Sequence, residues 1–164
     1  MIVVLMGVCG SGKTTVGREL AAALSWQFVD ADDFHPPANV AKMASGVPLT
    51  DADRGPWYDR IVVELTRRSR AGAGVVLACS ALKQAYRDRL AESGNVRFAY
   101  LKGDAATIAP RLSGRSGHFM PAALLASQFA TLEEPAAAIV VDIAQPVAAQ
   151  VATIQRALRQ PLPA

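Results

Sequence analysis

Short apolar segments alternate with longer amphipathic segments along the chain. Residues 2–6 form a continuous apolar run that ends at a glycine, which is typical of a strand buried on both faces of a parallel sheet. After it, Val16, Leu20 and Leu24 recur every four residues, and this spacing predicts an amphipathic helix. The same alternation continues along the chain and predicts five strands, at residues 2–6, 27–30, 75–79, 96–101 and 139–142.

Amphipathic spacing also predicts the helices between these strands. Residues 32–54 are rich in Pro, Asp, Asn and Gly, so this segment is predicted to be irregular, with a short helix near residues 39–45. The last helix is predicted to start at Pro146, because proline suits the first helical position. The other helices are predicted from residue 13, between Trp57 and Arg68, and at residues 84–92, 105–112 and 121–132.

Strands that are separated by helices pair in parallel through right-handed crossovers. The pattern therefore predicts an α/β fold, a three-layer α/β/α sandwich with a parallel sheet. We find no internal repeat or linker, and we predict a single domain over residues 1–164. Because ligands of such sheets bind beyond the carboxyl ends of the strands, residues 7–14, 30–35 and 80–83 are expected along one rim.

The composition is that of a soluble globular protein, with 51% apolar and 19% charged residues. The net charge of +3 suits anionic ligands, but the 17 basic residues are spread along the chain, so no nucleic-acid partner is predicted. No apolar run approaches the roughly 20 residues of a membrane span, and the start lacks the charged leader of a signal peptide. Cys9 and Cys79 are expected to be free thiols, which predicts a cytoplasmic protein.

The strongest motif is a phosphate-binding loop between the first strand and the first helix. Gly7, Gly12, Lys13 and Thr14 match the pattern G-x-x-x-x-G-K-[ST]. Backbone N–H groups of such a loop and the following helix N-terminus bind phosphate, while the lysine reaches the β- and γ-phosphates and the hydroxyl ligates Mg²⁺. We therefore predict ATP and Mg²⁺ as cofactors, bound by Gly7, Val8, Cys9, Gly10, Ser11, Gly12, Lys13, Thr14 and Thr15.

Two large classes of nucleotide-binding protein do not fit the sequence. Switch GTPases need an N-K-x-D guanine reader and a D-x-x-G switch, and neither motif is present. Transporter ATPases need a glycine after the L-S-G of residues 112–114, where this chain has Arg115. The remaining class contains the kinases of small metabolites, which need an acceptor-binding segment and a lid that excludes water.

Residues 30–57 are the predicted acceptor segment, and they begin with three carboxylates. Alternation along an extended backbone would point Asp30 and Asp32 the same way and Asp33 elsewhere. One carboxylate can orient a Mg²⁺-bound water while the other accepts the proton of the acceptor hydroxyl. The alternative is an acidic solvated turn.

Residues 111–121 are the predicted lid. This segment contains Arg111 and Arg115, four residues apart, and two glycines that permit hinge motion. The arginines can contact phosphate oxygens as charge develops during transfer. An ordinary basic loop is the alternative interpretation.

Further motifs run along almost the whole chain. The first half contains L-M-G-V-x-G-S-G-K (5–13), D-x-D-x-x-H-P (30–36), N-x-x-K-M-x-x-G-x-P-L (39–49) and D-x-D-R-x-P-W (51–57). The second half contains C-S-A-L-K-x-x-Y-R-D (79–88), Y-L-K-G-D (100–104), R-x-G-H-F (115–119), Q-F-x-T-L-x-E-P (128–135) and V-V-D-I-x-Q-P (140–146). With these motifs the chain resembles the gluconokinases, the small thermosensitive-type gluconate kinases with a nucleoside- and shikimate-kinase-like fold.

The resemblance implies conversion of ATP and D-gluconate to ADP and 6-phosphogluconate, with Mg²⁺ and as a homodimer, in carbohydrate acid catabolism and the pentose phosphate pathway. It implies that Asp32 contacts the acceptor hydroxyl and that Asp30, with Thr14, serves the metal. A shikimate kinase would carry a glycine triplet after the third strand, where this chain reads C-S-A-L-K, and the chain has no Gly-Gly pair.

The remaining site residues are predicted within these motifs. Arg54 is the candidate reader of the gluconate carboxylate, because arginine binds a carboxylate in bidentate fashion; alternatively it pairs only with Asp51 or Asp53. His35 either binds the polyol or holds the Asp32 loop. The other predicted contacts are Lys83, Arg87 and Gln128 with the acceptor, and Arg111, Arg115 and Pro146 with the nucleotide.

Overall fold

The computed structural model describes residues 1–113 and 122–160. Its centre is a five-stranded sheet with the order β2-β3-β1-β4-β5, and every neighbouring pair is parallel. The strands are β1 (Ile2–Met6), β2 (Gln27–Asp30), β3 (Val75–Ala78), β4 (Val96–Lys102) and β5 (Ile139–Asp142). The five predicted strands are therefore confirmed to within one residue at each end.

Helices cover both faces of this sheet, which confirms the predicted three-layer α/β/α sandwich. Within the described ranges, no helix combines the length and the apolarity that a membrane crossing requires. The helices are α1 (Lys13–Leu24), α2 (Pro37–Ala44), α3 (Asp51–Arg70), α4 (Gln84–Ala91), α5 (Ala105–Ser113), α6 (Ala122–Thr131) and α7 (Val147–Leu158), and Ala31–Phe34 form a 3₁₀ helix.

Alternation along β1 divides the core into two layers. Val3 and Leu5 pack with α1 and α7 on one face of the sheet. Ile2, Val4 and Met6 pack with α3 and α4 on the other face. All five side chains are fully buried, as expected for the central strand of a parallel sheet that is covered on both sides.

The strand register brings the predicted functional segments to one rim. Leu5 of β1 is paired with Ala78 of β3, and the Gly7 N–H donates to the Ser80 carbonyl oxygen at 3.2 Å. β2 lies on the far side of β3 and ends at Asp30. The carboxyl ends of these strands therefore meet, as the parallel pairing predicted.

The acceptor segment differs from its prediction at two points. The backbone turns into a 3₁₀ helix at Ala31, so the extended alternation predicted for Asp30, Asp32 and Asp33 is wrong. Helix α3 begins at residue 51, within the segment predicted to be irregular. A capping box fixes this start: Thr50 Oγ1 accepts the Asp53 N–H at 3.2 Å, and the Asp53 carboxylate accepts the Thr50 N–H at 2.7 Å.

Arg87 is a buried residue of helix α4 that bonds to the loop between β3 and α4. Its side chain is only 2% exposed, and Nη1 donates to the carbonyl oxygens of Ala81 and Leu82 at 3.0 and 3.1 Å. The guanidinium also donates to Gln84 Oε1. These bonds shape the loop that carries Lys83, so the geometry favours a structural role over the predicted contact with substrate.

We expect Arg87→Met to lower the free energy of unfolding by about 2 kcal/mol or more, because two buried carbonyls lose a charged donor. Arg89→Met is the matched control on α4, since the Arg89 side chain is 42% exposed and pairs with Asp59 and Glu92 at the surface. Its effect should be much smaller, because exposed ion pairs contribute little to stability. Urea denaturation measures both. A stable Arg87→Met protein with a raised KM for the acceptor would instead place Arg87 at the substrate.

Candidate active site

The loop between β1 and α1 has the backbone geometry of a phosphate cradle. Gly7 and Gly12 adopt positive φ angles of 143° and 97°. A Cβ atom at Gly7 would lie 2.9 Å from the Leu101 carbonyl oxygen, so a side chain there would clash with backbone. Gly12 is the N-cap of α1 and offers no side chain to its first amides, which leaves them available to an anion.

Lys13 folds back over this loop. Its Nζ donates to the carbonyl oxygens of Gly7 at 3.0 Å and Val8 at 2.9 Å. Burial lowers the pKa of Lys13, while nearby thiols and the carboxylates of Asp32 and Asp30 act in the opposite direction. The ammonium group therefore lies in a poorly hydrated place with neutral partners, where a phosphate would stabilise its charge more strongly.

Thr14 and Asp30 together present oxygen atoms suited to a magnesium ion. Thr14 Oγ1 donates to Asp30 Oδ2 at 3.3 Å, which joins the first turn of α1 to the end of β2. Among the described residues, no group of three or more His, Cys, Asp and Glu side chains is placed to hold a metal. Mg²⁺ commonly keeps several waters and takes one or two protein oxygens plus phosphates, so a hydroxyl and a carboxylate at the cradle fit its requirements.

Asp32 lies in the same cleft, on the 3₁₀ helix that follows β2. Asp30 Oδ1 accepts the Asp32 N–H at 3.2 Å and so caps this helix. The Asp32 side chain is 84% exposed. Partial desolvation of its carboxylate, followed by repulsion from Asp30, raises the pKa of Asp32, whereas His35 and Lys13 lower it.

His35 and Trp57 hold the Asp32 loop in place. Trp57 Nε1 donates to the Ala31 carbonyl oxygen at 2.7 Å, and the His35 ring stacks on Trp57 with centroids 4.2 Å apart. His35 Nε2 lies 3.7 Å from Asp32 Oδ1. Burial lowers the pKa of His35, which favours a neutral imidazole stacked on Trp57. This arrangement supports the interpretation that His35 holds the Asp32 loop over direct binding of the polyol.

A second group of charged and polar side chains surrounds Asp51 at the start of α3. We call Arg54, Lys83 and Tyr86, which contact the Asp51 carboxylate, the basic cluster. Lys83 Nζ lies 2.7 Å from Asp51 Oδ2, and the Tyr86 hydroxyl donates to Asp51 Oδ1. Arg54 Nη1 lies 3.8 Å from the same Asp51 carboxylate and donates to the Leu49 carbonyl oxygen at 2.8 Å. The predicted pairing of Arg54 with Asp51 is thus present.

Asp51 and Tyr86 are members of this group that sequence reasoning did not assign to the site. Asp51 precedes Arg54 by three residues on α3, and Tyr86 follows Lys83 by three at the start of α4. Residues three apart on a helix lie on the same face. The T-x-x-D capping signal of residues 50–53 is visible in the sequence and predicts the start of α3. With α3 placed there, the three-residue spacing would have indicated both Asp51 and Tyr86.

Three further predicted residues occupy other places around the loop. Gln128 of α6 accepts the Cys9 N–H through Oε1 at 2.6 Å, so it contacts the phosphate-binding loop rather than the basic cluster. Arg111 Nη2 donates to the Ile143 carbonyl oxygen at 2.8 Å, in the segment that leads to Pro146, the N-cap of α7.

Arg115 and most of the predicted lid lie outside the described residues. Its assignment as an arginine that contacts the migrating phosphate stays a prediction.

The site and the fold have clear relatives. A family model described as an AAA domain matches residues 2–135. The gluconokinase of Gluconobacter oxydans (strain 621H) is 51% identical over 133 residues, which cover 80% of this chain and 75% of that protein. The thermosensitive gluconokinase of Escherichia coli (strain K12) is 49% identical over 138 residues, or 82% of this chain and 72% of that protein.

A solved structure agrees with these sequence matches. The crystal structure of a gluconokinase from Sinorhizobium meliloti 1021 superposes with a TM-score of 0.82 at 43% identity, over 96% of this chain and 94% of that one. Similarity of this extent covers the phosphate-binding loop, the acceptor segment and the basic cluster together. The chain therefore carries an AAA domain and belongs to the gluconokinase family.

Proposed function

We propose that this chain transfers the γ-phosphoryl group of ATP to D-gluconate, giving ADP and 6-phospho-D-gluconate. The observation that carries the proposal is that the phosphate-binding loop and the carboxylates of the acceptor segment lie next to each other. The Thr14 hydroxyl of the phosphate-binding loop contacts Asp30, and the neighbouring Asp32 interacts electrostatically with Lys13. The gluconokinase relatives support gluconate as the acceptor.

On the nucleotide side, the chain supplies positioning and positive charge. The amides of the loop and of the first turn of α1 hold the phosphates, and Lys13 exchanges its carbonyl partners for phosphate oxygens as charge develops during transfer. Thr14 and Asp30 would hold Mg²⁺, directly or through water. When bound, Mg²⁺ neutralises the charge of the phosphate oxygens.

On the acceptor side, Asp32 is the proposed base. Its carboxylate accepts the proton of the attacking hydroxyl, and His35 with Trp57 keeps it beside the phosphate-binding loop. Phosphoryl transfer is loose, so aligning the hydroxyl contributes more than strong basicity does. A carboxylate with a raised pKa takes up a proton more readily, which suits this role.

The basic cluster is the proposed reader of the acceptor carboxylate. Gluconate is a flexible polyol, and its hydroxyl groups alone do not set which end faces ATP. Arg54 and Lys83, bound to the carboxylate at one end, would direct the far hydroxyl toward Asp32 and the γ-phosphate. Binding energy at one end of the substrate is thereby converted into orientation at the other end.

The proposal includes three further features of the protein. Arg115 acts from a lid over residues 111–121, and Arg111 and Pro146 flank the nucleotide. The enzyme works as a homodimer, as the family resemblance implies. It acts in the cytoplasm, a reducing compartment that suits its two free thiols, Cys9 and Cys79.

An assay of ADP release tests the reaction directly. Gluconate, shikimate, glycerate and nucleoside monophosphates are compared as acceptors at equal concentration with ATP and Mg²⁺. We expect gluconate to give a kcat/KM far above those of the other acceptors. Preference for any other member of the panel would overturn the proposed acceptor while leaving the nucleotide site intact.

We expect Asp32→Asn to lower kcat about a hundredfold or more, because the amide accepts a hydrogen bond but takes up no proton. ATP affinity should change little. Asp33→Asn is the matched control on the same 3₁₀ helix and should retain near wild-type kcat. Damage at Asp33 without damage at Asp32 would show that the base has been assigned to the wrong carboxylate.

We expect the titration of Asp32 to set the acidic limb of the pH–rate profile. Asp32 must be ionised to act, so activity falls as pH drops through its pKa. Because that pKa is raised, the wild-type limb should lie above the range of an ordinary aspartate, and it should be missing from the residual activity of Asp32→Asn. A limb of unchanged position in the variant would identify another titrating group.

We expect Arg54→Ala to lower kcat/KM for gluconate about tenfold to a hundredfold, because a charged hydrogen bond to the carboxylate is lost. The KM for ATP should stay nearly constant, and the weak activity on sorbitol, which has no carboxylate, should fall little further. Arg60→Ala, an exposed change on the same helix, is the control. Equal losses with gluconate and sorbitol would make Arg54 a scaffold residue.

A further inference from the structure

The Asp51 carboxylate occupies the position that an acceptor carboxylate would need in order to bind the basic cluster. It accepts hydrogen bonds from Lys83 Nζ and the Tyr86 hydroxyl, and the Arg54 guanidinium lies within ion-pair distance. These donors come from two separate elements, the first turn of α3 and the start of α4. Such a convergence of two cations and a hydroxyl is the usual composition of a carboxylate receptor.

The group is accessible from solvent. The side chains of Asp51, Lys83 and Arg54 are 61%, 33% and 32% exposed. The Tyr86 ring lies beneath the two cations, with its centroid 5.6 Å from Lys83 Nζ and 5.9 Å from Arg54 Cζ. An incoming anion could therefore reach the cations without any rearrangement of the core.

The Asp51 side chain can leave this position without disrupting the start of helix α3. The cap of α3 depends on Asp53, which bonds to Thr50 and to Lys42 Nζ at 2.5 Å, and these bonds lower the pKa of Asp53 to about 2. The side-chain partners of Asp51 instead belong to the basic cluster, and hydrogen bonds from Lys83 and Tyr86 hold the pKa of Asp51 below its usual value. The two carboxylates of one helical turn thus have different functions.

We propose that Asp51 is an internal competitor of the acceptor carboxylate at the basic cluster and reduces the affinity of the free protein for its acceptor. The inference rests on the proposed function for the identity of the acceptor. When gluconate binds, its carboxylate replaces that of Asp51 on Lys83, Tyr86 and Arg54, and the Asp51 side chain turns outward into solvent.

The preference for anions comes from the cations of the cluster. Any acceptor that occupies the cluster must displace Asp51, so the competitor lowers the affinity for neutral and anionic acceptors alike. An anionic acceptor restores the lost interactions with the cations and adds its own hydroxyl contacts, whereas a neutral polyol leaves them without an anionic partner. Because an exposed ion pair is weak, the competitor costs the proper substrate little while it keeps the cations paired in the free protein.

The test is the Asp51→Asn variant, with Asp59→Asn as the matched control. Asp59 is an exposed carboxylate of the same helix, and it pairs with Arg89 rather than with the cluster. We expect Asp51→Asn to lower the KM for gluconate about three- to fivefold, the amount by which a weak exposed competitor reduces affinity. Turnover with sorbitol should not improve relative to gluconate, and Asp59→Asn should behave as wild type.

A binding measurement separates this inference from the proposed reaction. Sulfate is titrated by calorimetry into protein saturated with a non-hydrolysable ATP analogue, so that all three phosphate positions are filled and the measured binding reports on the basic cluster. We expect sulfate to bind about three- to fivefold more tightly to Asp51→Asn than to wild type, and Lys83→Met in the same background should abolish the gain. This result would stand even if gluconate proved not to be the acceptor.

Two outcomes would overturn the inference. An unchanged or higher KM in a folded Asp51→Asn protein would make Asp51 a fixed contact of the substrate or a support for Lys83. Unchanged sulfate affinity would show that Asp51 does not compete for the cluster. If Asp51→Asn does not fold, Asp51→Ser takes its place, since serine is well tolerated at a helix start, and the same changes in KM and sulfate affinity are required of it.

Discussion

The burial of β1 on both faces is the constraint on which the rest of the structure depends. Its neighbours β3 and β4 pair with its backbone on either side, and helices cover both of its faces. A strand held in this way cannot shift along its axis without breaking both ladders and exposing both core layers. The phosphate-binding loop therefore starts from a fixed point, and the bond from Gly7 to Ser80 sets its distance from the acceptor side of the cleft.

Internal partners hold the charged groups of the cleft in this structure. Lys13 bonds to loop carbonyls, Thr14 bonds to Asp30, and Lys83 bonds to Asp51. Each of these bonds is made by the groups that phosphate, metal and acceptor would engage under the proposed function. Binding would then exchange one partner for another and would not uncover bare charges, so its electrostatic cost stays small.

A column of aromatic rings connects the proposed base to the basic cluster. His35 stacks on Trp57, Trp57 contacts Tyr58 at 4.7 Å, and Tyr58 stacks on Tyr86 at 5.0 Å between ring centroids. One end of the column lies beside Asp32, and the other end lies beneath the cations. The middle of this column, Trp57 and Tyr58, is buried. A stiff spacer of this kind keeps the proposed base and the carboxylate reader at a constant separation, which is what orienting a flexible polyol requires.

The sequence by itself determined the order of strands and helices, because apolar periodicity is a local signal. It also determined the phosphate-binding loop and the family, because both depend on motifs of contiguous residues. It did not determine the 3₁₀ turn at Ala31, whose carbonyl oxygen accepts a hydrogen bond from Trp57, 26 residues away. Nor did it determine the capture of Asp51 by Lys83 and Tyr86, which lie 32 and 35 residues away. Tertiary structure decided that contact, because only the packing of α3 against α4 brings the two helix starts together.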